Sequence, residues 1–282
     1  MGNILSAIKS IVANSSLDVV ENPNEIIHNR ANQMGIALED YVKNAFANCI
    51  GQSEREIKYA RNKTFSYLGN SNNPPDAMLA GSDAIEIKKL ESLGTSQLQL
   101  NSSYPKNKLY SNNPKISITC RTCEEWDEKD MLYIVGQVKN QELHNIFFIY
   151  GDLYCDSHEV YESTENAIKE GLHSLEGVEL AETNELGRVN KVDHLEISDL
   201  RVRGMWLIKS PFLQFDYLTE KLNDYTFKLV ALIPEHKYFS FENVDEFEEF
   251  CEDKGVSISD EEIEDPQNPA NLIKSKLIIY HY

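Results

Sequence analysis

Ser71-Asn72-Asn73-Pro74-Pro75-Asp76-Ala77-Met78-Leu79-Ala80-Gly81-Ser82-Asp83-Ala84-Ile85-Glu86-Ile87-Lys88-Lys89 is the stretch on which the reading of this sequence turns. It runs as a rigid proline entry, an acid, a short strand, a tight turn and a second strand carrying Glu86-Ile87-Lys88. Side chains alternate faces along a strand, so Glu86 and Lys88 share one face while Ile85 and Ile87 share the other. The turn at Gly81-Ser82-Asp83 folds the first strand back and returns Asp76 to that pair. A three-residue loop there sets Asp76 opposite Lys88 on the same face, whereas a two-residue loop turns Asp76 away. The first register is the expectation. It brings two carboxylates and a lysine to one point on a sheet.

That trio suits metal-assisted hydrolysis of a phosphodiester. Two carboxylates supply hard oxygen ligands for Mg²⁺, which keeps waters and open positions for a phosphate oxygen. Such a metal stabilises the pentacovalent charge and lowers the pKa of a bound water. A lysine two residues beyond the second acid can reach that water and the scissile phosphate together. The competing reading is a surface hairpin with a solvated Glu-x-Lys face. The Pro-Pro entry, the returning turn and the otherwise apolar second strand favour the functional one.

Around the hairpin the sequence alternates helical and extended patterns. Residues 1–14 and about 24–49 are helical by their apolar spacing, the second through Met34, Leu38, Val42 and Phe46. Glu39 and Lys43 form an i,i+4 pair within it. Glu39 is either a solvated face holding that salt bridge or a further acid of the site. Phe65–Leu68 is a short strand. Leu90–Leu100 is a short helix or an extended link, and the Asn-, Ser-, Pro- and Lys-rich 101–114 is a mobile loop near the site. Ile116–Cys120, Met131–Val138 and Ile146–Tyr150 have the β-branched and aromatic character of central strands. A helix over 159–171, a strand over 227–233, an acidic amphipathic helix over 241–253 and a closing strand over 273–280 complete the pattern. The fold class is α/β or α+β, a mixed sheet of about five or more strands flanked by helices.

Composition narrows the field. The 282 residues are 41% hydrophobic, and no apolar run approaches the ~20 residues of a membrane span, so a cytoplasmic location is expected. The five cysteines are scattered and odd in number, and Cys120-x-x-Cys123 lacks a second ligand pair, so core thiols in a reducing compartment are expected. A net charge of −19 argues against nucleic acid at first sight. Residues 241–265 alone hold twelve acids against one lysine, however. Arg188, Lys191, Arg201, Arg203 and Lys209 are the densest basic cluster in an otherwise acidic half. With Asn190 they read as a DNA-contacting segment, since arginine forks suit the guanine edge. The alternative is a basic patch neutralised by Glu182, Glu185, Asp193 and Asp199. Asn72 and Asn73, before the acid, are either DNA donors or Asx-turn residues.

The pattern Pro75-Asp76…Glu86-Ile87-Lys88 resembles the PD-(D/E)xK nuclease core. That resemblance implies a Mg²⁺-dependent endonuclease centre, often with a glutamate from a preceding helix, a role Glu39 matches in type and order. Asn29–Gly35 with Ala37-Leu38-Glu39, Gly69–Asp76 and Leu200–Trp206 look like the NgoPII family of type II restriction endonucleases. This narrower similarity implies a homodimer that recognises a short palindrome in double-stranded DNA, GGCC. One restriction-endonuclease-like domain over 1–282 is expected, with about 25–155 as catalytic core, about 156–240 as recognition region and 241–282 as acidic helix and closing strand. A structure-specific resolvase or repair nuclease and an inert DNA-binding protein are the alternatives.

Overall fold

The structure is a computed structural model that describes residues 2–14, 30–70, 73–101, 103–140, 142–175, 180–183, 185–219 and 225–282. In chain order the first elements are α1 (Ile4–Ala13), α2 (Arg30–Phe46), α3 (Glu54–Thr64), β1 (Phe65–Tyr67), β2 (Ala77–Leu79), β3 (Ala84–Leu90), β4 (Gln97–Asn101) and β5 (Lys108–Tyr110). Next come α4 (Ile118–Arg121), β6 (Glu128–Lys139), β7 (Glu142–Tyr150), α5 (His158–His173), β8 (Gly187–Val189), β9 (Leu200–Val202), β10 (Met205–Lys209) and α6 (Pro211–Gln214). The chain closes with β11 (Lys228–Pro234), α7 (Glu235–Tyr238), α8 (Val244–Lys254), β12 (Ser257–Asp265) and β13 (Asn268–His281).

The main sheet has the order β1-β2-β3-β6-β7-β11-β13-β12, with β5 laid against β6. β3 pairs with β6, and β7 with β11, in parallel; the other neighbours are antiparallel, so the sheet is mixed and the fold α+β. Its central strands are buried on both faces, which is why they read as near-continuous apolar runs. Leu132 and Ile134 of β6 join one core, with Leu5 and Ile8 of α1, Leu38 and Val42 of α2, and Phe247 of α8. Tyr133 and Val135 join the other, with Tyr154, Cys155 and Phe215. Among the described residues no helix is long and apolar enough to cross a membrane.

Two sequence expectations change. Ile116–Cys120 is not a central strand: Ser117 caps a single helical turn by accepting the Cys120 N–H at 3.1 Å. Residues 103–107 are no open loop. Tyr104 and Lys106 are buried against the sheet, and the Lys106 N–H donates to the Tyr133 hydroxyl at 2.7 Å. Of the two readings of Leu90–Leu100 the extended one holds, interrupted by a turn in which the Thr95 N–H meets the Ser92 carbonyl at 3.2 Å: β3 ends at Leu90, and β4 opens at Gln97 and pairs with β10 as a separate two-stranded ribbon. Residues 257–265, hidden in the acidic stretch, form the edge strand β12 paired along β13. Charge on an edge strand opposes pairing with other chains. The second helix begins at Arg30 among the described residues, and 24–29 lie outside them.

Candidate active site

The hairpin forms, but its turn starts one residue earlier than expected. Ala80-Gly81-Ser82 is the loop, closed by the Leu79 N–H on the Asp83 carbonyl at 2.9 Å and the Ser82 N–H on the Leu79 carbonyl at 3.1 Å. Gly81 takes φ +65°, a conformation that costs glycine little. Ala77 therefore pairs with Ile85 and Met78 with Ala84. Extending that register places Asp76 beside Glu86, not Lys88. Moving the loop by one residue shifts every pair by two, so the shared face survives while the partner changes.

Asp76 leaves the ladder in a particular way. Its N–H donates to the Ile85 carbonyl at 3.0 Å, and its Oδ2 accepts the Ile87 N–H at 2.6 Å. The carboxylate thus stands in for a strand neighbour beyond the end of β2. Gly69, at φ +75°, lets the preceding chain press on this point: a Cβ there would meet the Asp76 carbonyl oxygen at 2.2 Å.

The electrostatics follow from crowding two acids and a lysine. Burial pushes the Asp76 carboxyl up, and the Glu86 charge pushes it further. The Lys88 charge and the Ile87 N–H pull the other way, and the result is about 7. The Lys88 Nζ lies 2.6 Å from the Glu86 Oε1. Burial alone would lower that ammonium's pKa, but the charges of Glu86 and Asp76 outweigh it and hold it above the usual lysine range. Lys88 is therefore a fixed cation and hydrogen-bond donor, not a proton acceptor, near neutral pH.

Glu39 arrives from α2. Its Oε2 lies 3.4 Å from the Lys43 Nζ, which also donates to the Leu68 carbonyl at 3.2 Å. Its charge is felt at both Asp76 and Lys88. The two readings of Glu39 thus coexist: a salt-bridged helix face that borders the acidic site. α2 comes this close because Leu38 packs onto Gly136 of β6, where a Cβ would lie 2.7 Å from the Leu38 Cδ2.

Lys106 has no spacing relation to Glu86 in the sequence and emerges only in the fold. Its Nζ donates to the Tyr104 carbonyl at 3.0 Å and to the Ser103 hydroxyl. Burial lowers its ammonium to about 8, with the Glu86 charge opposing that fall.

The residues assigned to DNA lie elsewhere or are engaged. Asn73 takes the turn role: its N–H donates to the Asn70 Oδ1 at 2.9 Å and its side chain to the Lys115 carbonyl at 3.1 Å. Asn72 lies outside the described residues. Arg188 pairs with Asp199 at 2.7 Å and donates to the Asn190 Oδ1 at 2.7 Å. Lys191 pairs with Glu196 at 2.7 Å, and both Arg201 and Arg203 reach Glu185 at 2.6 Å. All five basic and amide side chains sit on the short β8–β9 ribbon or its flanks, apart from the acidic trio in sequence. Cys120 is buried and Cys123 half-buried, both as free thiols, and among the described residues no group of three or more His, Cys, Asp or Glu is placed to hold a metal.

The mixed sheet with flanking helices is consistent with a restriction-endonuclease-like fold, and comparison with known proteins makes the chain a site-specific deoxyribonuclease. The chain belongs to the NgoPII restriction endonuclease family, whose profile matches residues 2–264. It is 45% identical over 280 residues to the type II restriction enzyme NgoPII of Neisseria gonorrhoeae, covering 99% of each chain. No solved structure matches.

Proposed function

We propose that this restriction endonuclease hydrolyses double-stranded DNA with Mg²⁺ at Asp76, Glu86 and Lys88, at a short palindrome, GGCC, as a cytoplasmic homodimer. The convergence of Asp76, Glu86 and Lys88 at the open end of β2 carries this reading. The donor set fits Mg²⁺, which is commonly bound through one or two carboxylates, its other positions going to water and phosphate. Asp76 and Glu86 would hold it, and a divalent cation there would offset the burial and the Glu86 charge that together raise Asp76 to about 7. When bound, the metal supplies Lewis-acid stabilisation of the phosphoryl oxygens and an acidified water.

The chain's own groups do the rest. Lys88 stays protonated, so it orients the attacking water and neutralises the scissile phosphate oxygen by donating hydrogen bonds. Glu86 holds that ammonium in place at 2.6 Å. Glu39, at the α2 border, adds negative potential that favours a cation in the site. Arg188, Asn190, Lys191, Arg201 and Arg203 belong to the DNA-facing recognition region, Asn72 and Asn73 flank the acid, and DNA phosphates exchange places with Asp199, Glu196 and Glu185 as partners. A two-fold dimer is the economical reader of a palindrome.

The test is incubation of plasmid DNA with the protein and Mg²⁺. Discrete fragments ending at GGCC are expected. Discrete cutting at another sequence overturns the specificity, cutting confined to branched DNA overturns the sequence reader, and binding without cutting overturns the chemistry.

A further inference from the structure

β2 and β3 share only two paired positions, Ala77 with Ile85 and Met78 with Ala84. So short a ladder holds its register weakly, and a slip of one residue swings Asp76 to the opposite face from Glu86. The turn between them is gripped from outside. Lys129, near the start of β6, donates to the Ser82 carbonyl at 2.6 Å and the Leu79 carbonyl at 3.3 Å. These carbonyls flank the turn. The same ammonium lies 2.5 Å from the Glu124 Oε1, and its side chain is only 4% exposed. The second oxygen of Glu124 accepts the Gly81 N–H at 2.9 Å. One nearly buried ion pair therefore holds both ends and the middle of a three-residue loop.

A separate contact anchors the strand that follows. Asp83 is fully buried, with Oδ1 2.6 Å from the Lys237 Nζ and Oδ2 accepting the Tyr150 hydroxyl at 2.7 Å. This ties the hairpin to α7 but touches neither loop carbonyl nor the Gly81 amide. Register inside the loop depends on the other pair.

The geometry points to Lys129 and Glu124 as positioning residues for the metal site: their ion pair locks the Ala80–Ser82 loop and so sets Asp76 against Glu86. The inference rests on the Mg²⁺-dependent reading of that hairpin. Groups that orient metal ligands are typically worth about 10–100-fold in metal affinity. Both residues reach the site through the loop: Lys129 bonds the Leu79 and Ser82 carbonyls and Glu124, and Glu124 accepts the Gly81 N–H.

The experiment measures Mn²⁺ binding by calorimetry to the full chain, as wild type, Lys129→Met and Glu124→Gln. Melting temperature, DNA retention without metal and the Mg²⁺ dependence of cleavage accompany it. Glu124→Gln keeps an oxygen for the Gly81 N–H and serves if Lys129→Met fails to fold. The expected result is Mn²⁺ affinity about tenfold weaker in Lys129→Met and less so in Glu124→Gln. Half-saturating Mg²⁺ should rise in step, while metal-free DNA binding stays unchanged. Because the two residues act as a unit, the double variant should be no worse than Lys129→Met alone. Wild-type Mn²⁺ affinity in both variants overturns the inference, as does a loss of melting temperature and DNA binding with metal affinity intact. Absence of Mn²⁺ binding to the wild type overturns the metal reading itself, and this inference with it.

Discussion

The Asp76–Lys89 hairpin and the segment from Glu185 to Lys209 are both short antiparallel structures, and they are held by opposite means. In the hairpin the polar side chains are buried or half-buried and held by fixed partners: the Ile87 N–H holds Asp76, Lys129 and Glu124 hold the loop, and Lys237 and Tyr150 hold Asp83. In the second region the ion pairs lie on the surface. Arg188, Lys191, Arg201 and Arg203 all have side chains more than two-fifths exposed, each paired with a neighbouring acid. Exposed pairs contribute about 0–1 kcal/mol each, so they are easily exchanged for phosphate, whereas unpairing a buried charge costs several times that. If the hairpin does the chemistry and the second region meets DNA, as proposed, the rigid groups lie where bond-making geometry is set and the exchangeable ones where a polyanion is accepted.

The sharpest break of this contrast is Lys88→Ala. Loss of a preorganised donor at the scissile phosphate lowers single-turnover cleavage in Mg²⁺ by about 10³-fold. Metal-free DNA binding, measured by gel shift, should stay within about twofold of wild type. Near-normal cleavage by Lys88→Ala would remove the hairpin from the chemistry altogether.

A second break uses pH. The Asp76 carboxyl, ordinarily near 3.8, lies at about 7 in the fold. The folded chain therefore binds more protons than the unfolded chain between those values, and stability falls as pH rises through that window. Asp76→Asn lacks this dependence. In EDTA, urea melts should show wild type losing about 3 kcal/mol relative to Asp76→Asn between pH 4.5 and 8. Parallel stability curves for the two proteins would show that burial and the Glu86 charge do not raise Asp76.

A third addresses Glu39, which reaches the site on a helix and not on the hairpin. Gly136→Ala places a methyl 2.7 Å from the Leu38 Cδ2, so the Leu38 side chain or α2 with it must shift away from the sheet. Stability should drop by about 1–3 kcal/mol. Cleavage should fall about tenfold, the range of one displaced acid–base or electrostatic partner at its weak end. Glu39→Gln should match the loss of cleavage without the loss of stability. If it leaves cleavage unchanged, Glu39 is a salt-bridged helix face only.

The sequence made the hairpin legible because alternation and a glycine turn are local signals. Asp76, Glu86 and Lys88 fall on one face under either three-residue loop. The partner of Asp76 was misplaced because Gly81 occupies the middle of the loop and not its start, and nothing local distinguishes the two. The central strands announced themselves as apolar runs, while β12 did not: Asp260, Glu261 and Glu262 mask a strand whose partner, β13, is what makes it extended. Ile116–Cys120 misled in the other direction, since Ser117 offers a helix cap that outweighs β-branched character over so few residues. Lys129, Glu124 and Lys106 were invisible for a different reason. Lys129 and Glu124 grip the hairpin across 43 to 50 positions and Lys106 meets Tyr133 across 27, and no spacing rule reaches that far.

The smallest effects belong to the exposed region, and they decide what it contacts. Arg201 and Arg203 share Glu185, so Glu185→Gln frees both guanidinium groups at little cost to the fold. If they meet DNA phosphates, that variant binds DNA a few-fold more tightly at low salt. Arg201→Gln then weakens all duplexes about equally and lowers the slope of log affinity against log salt by about one. If Arg201 instead reads a guanine edge, Arg201→Gln relaxes the choice of base at one position of the site, with a discrimination loss of about 1–3 kcal/mol. Comparing affinities for matched and singly altered duplexes at two salt concentrations separates these outcomes. Unchanged binding in both variants means that Glu185 keeps its arginines in the complex. The exposed pairs would then be as structural as the buried ones, and the contrast between the two regions would reduce to burial alone.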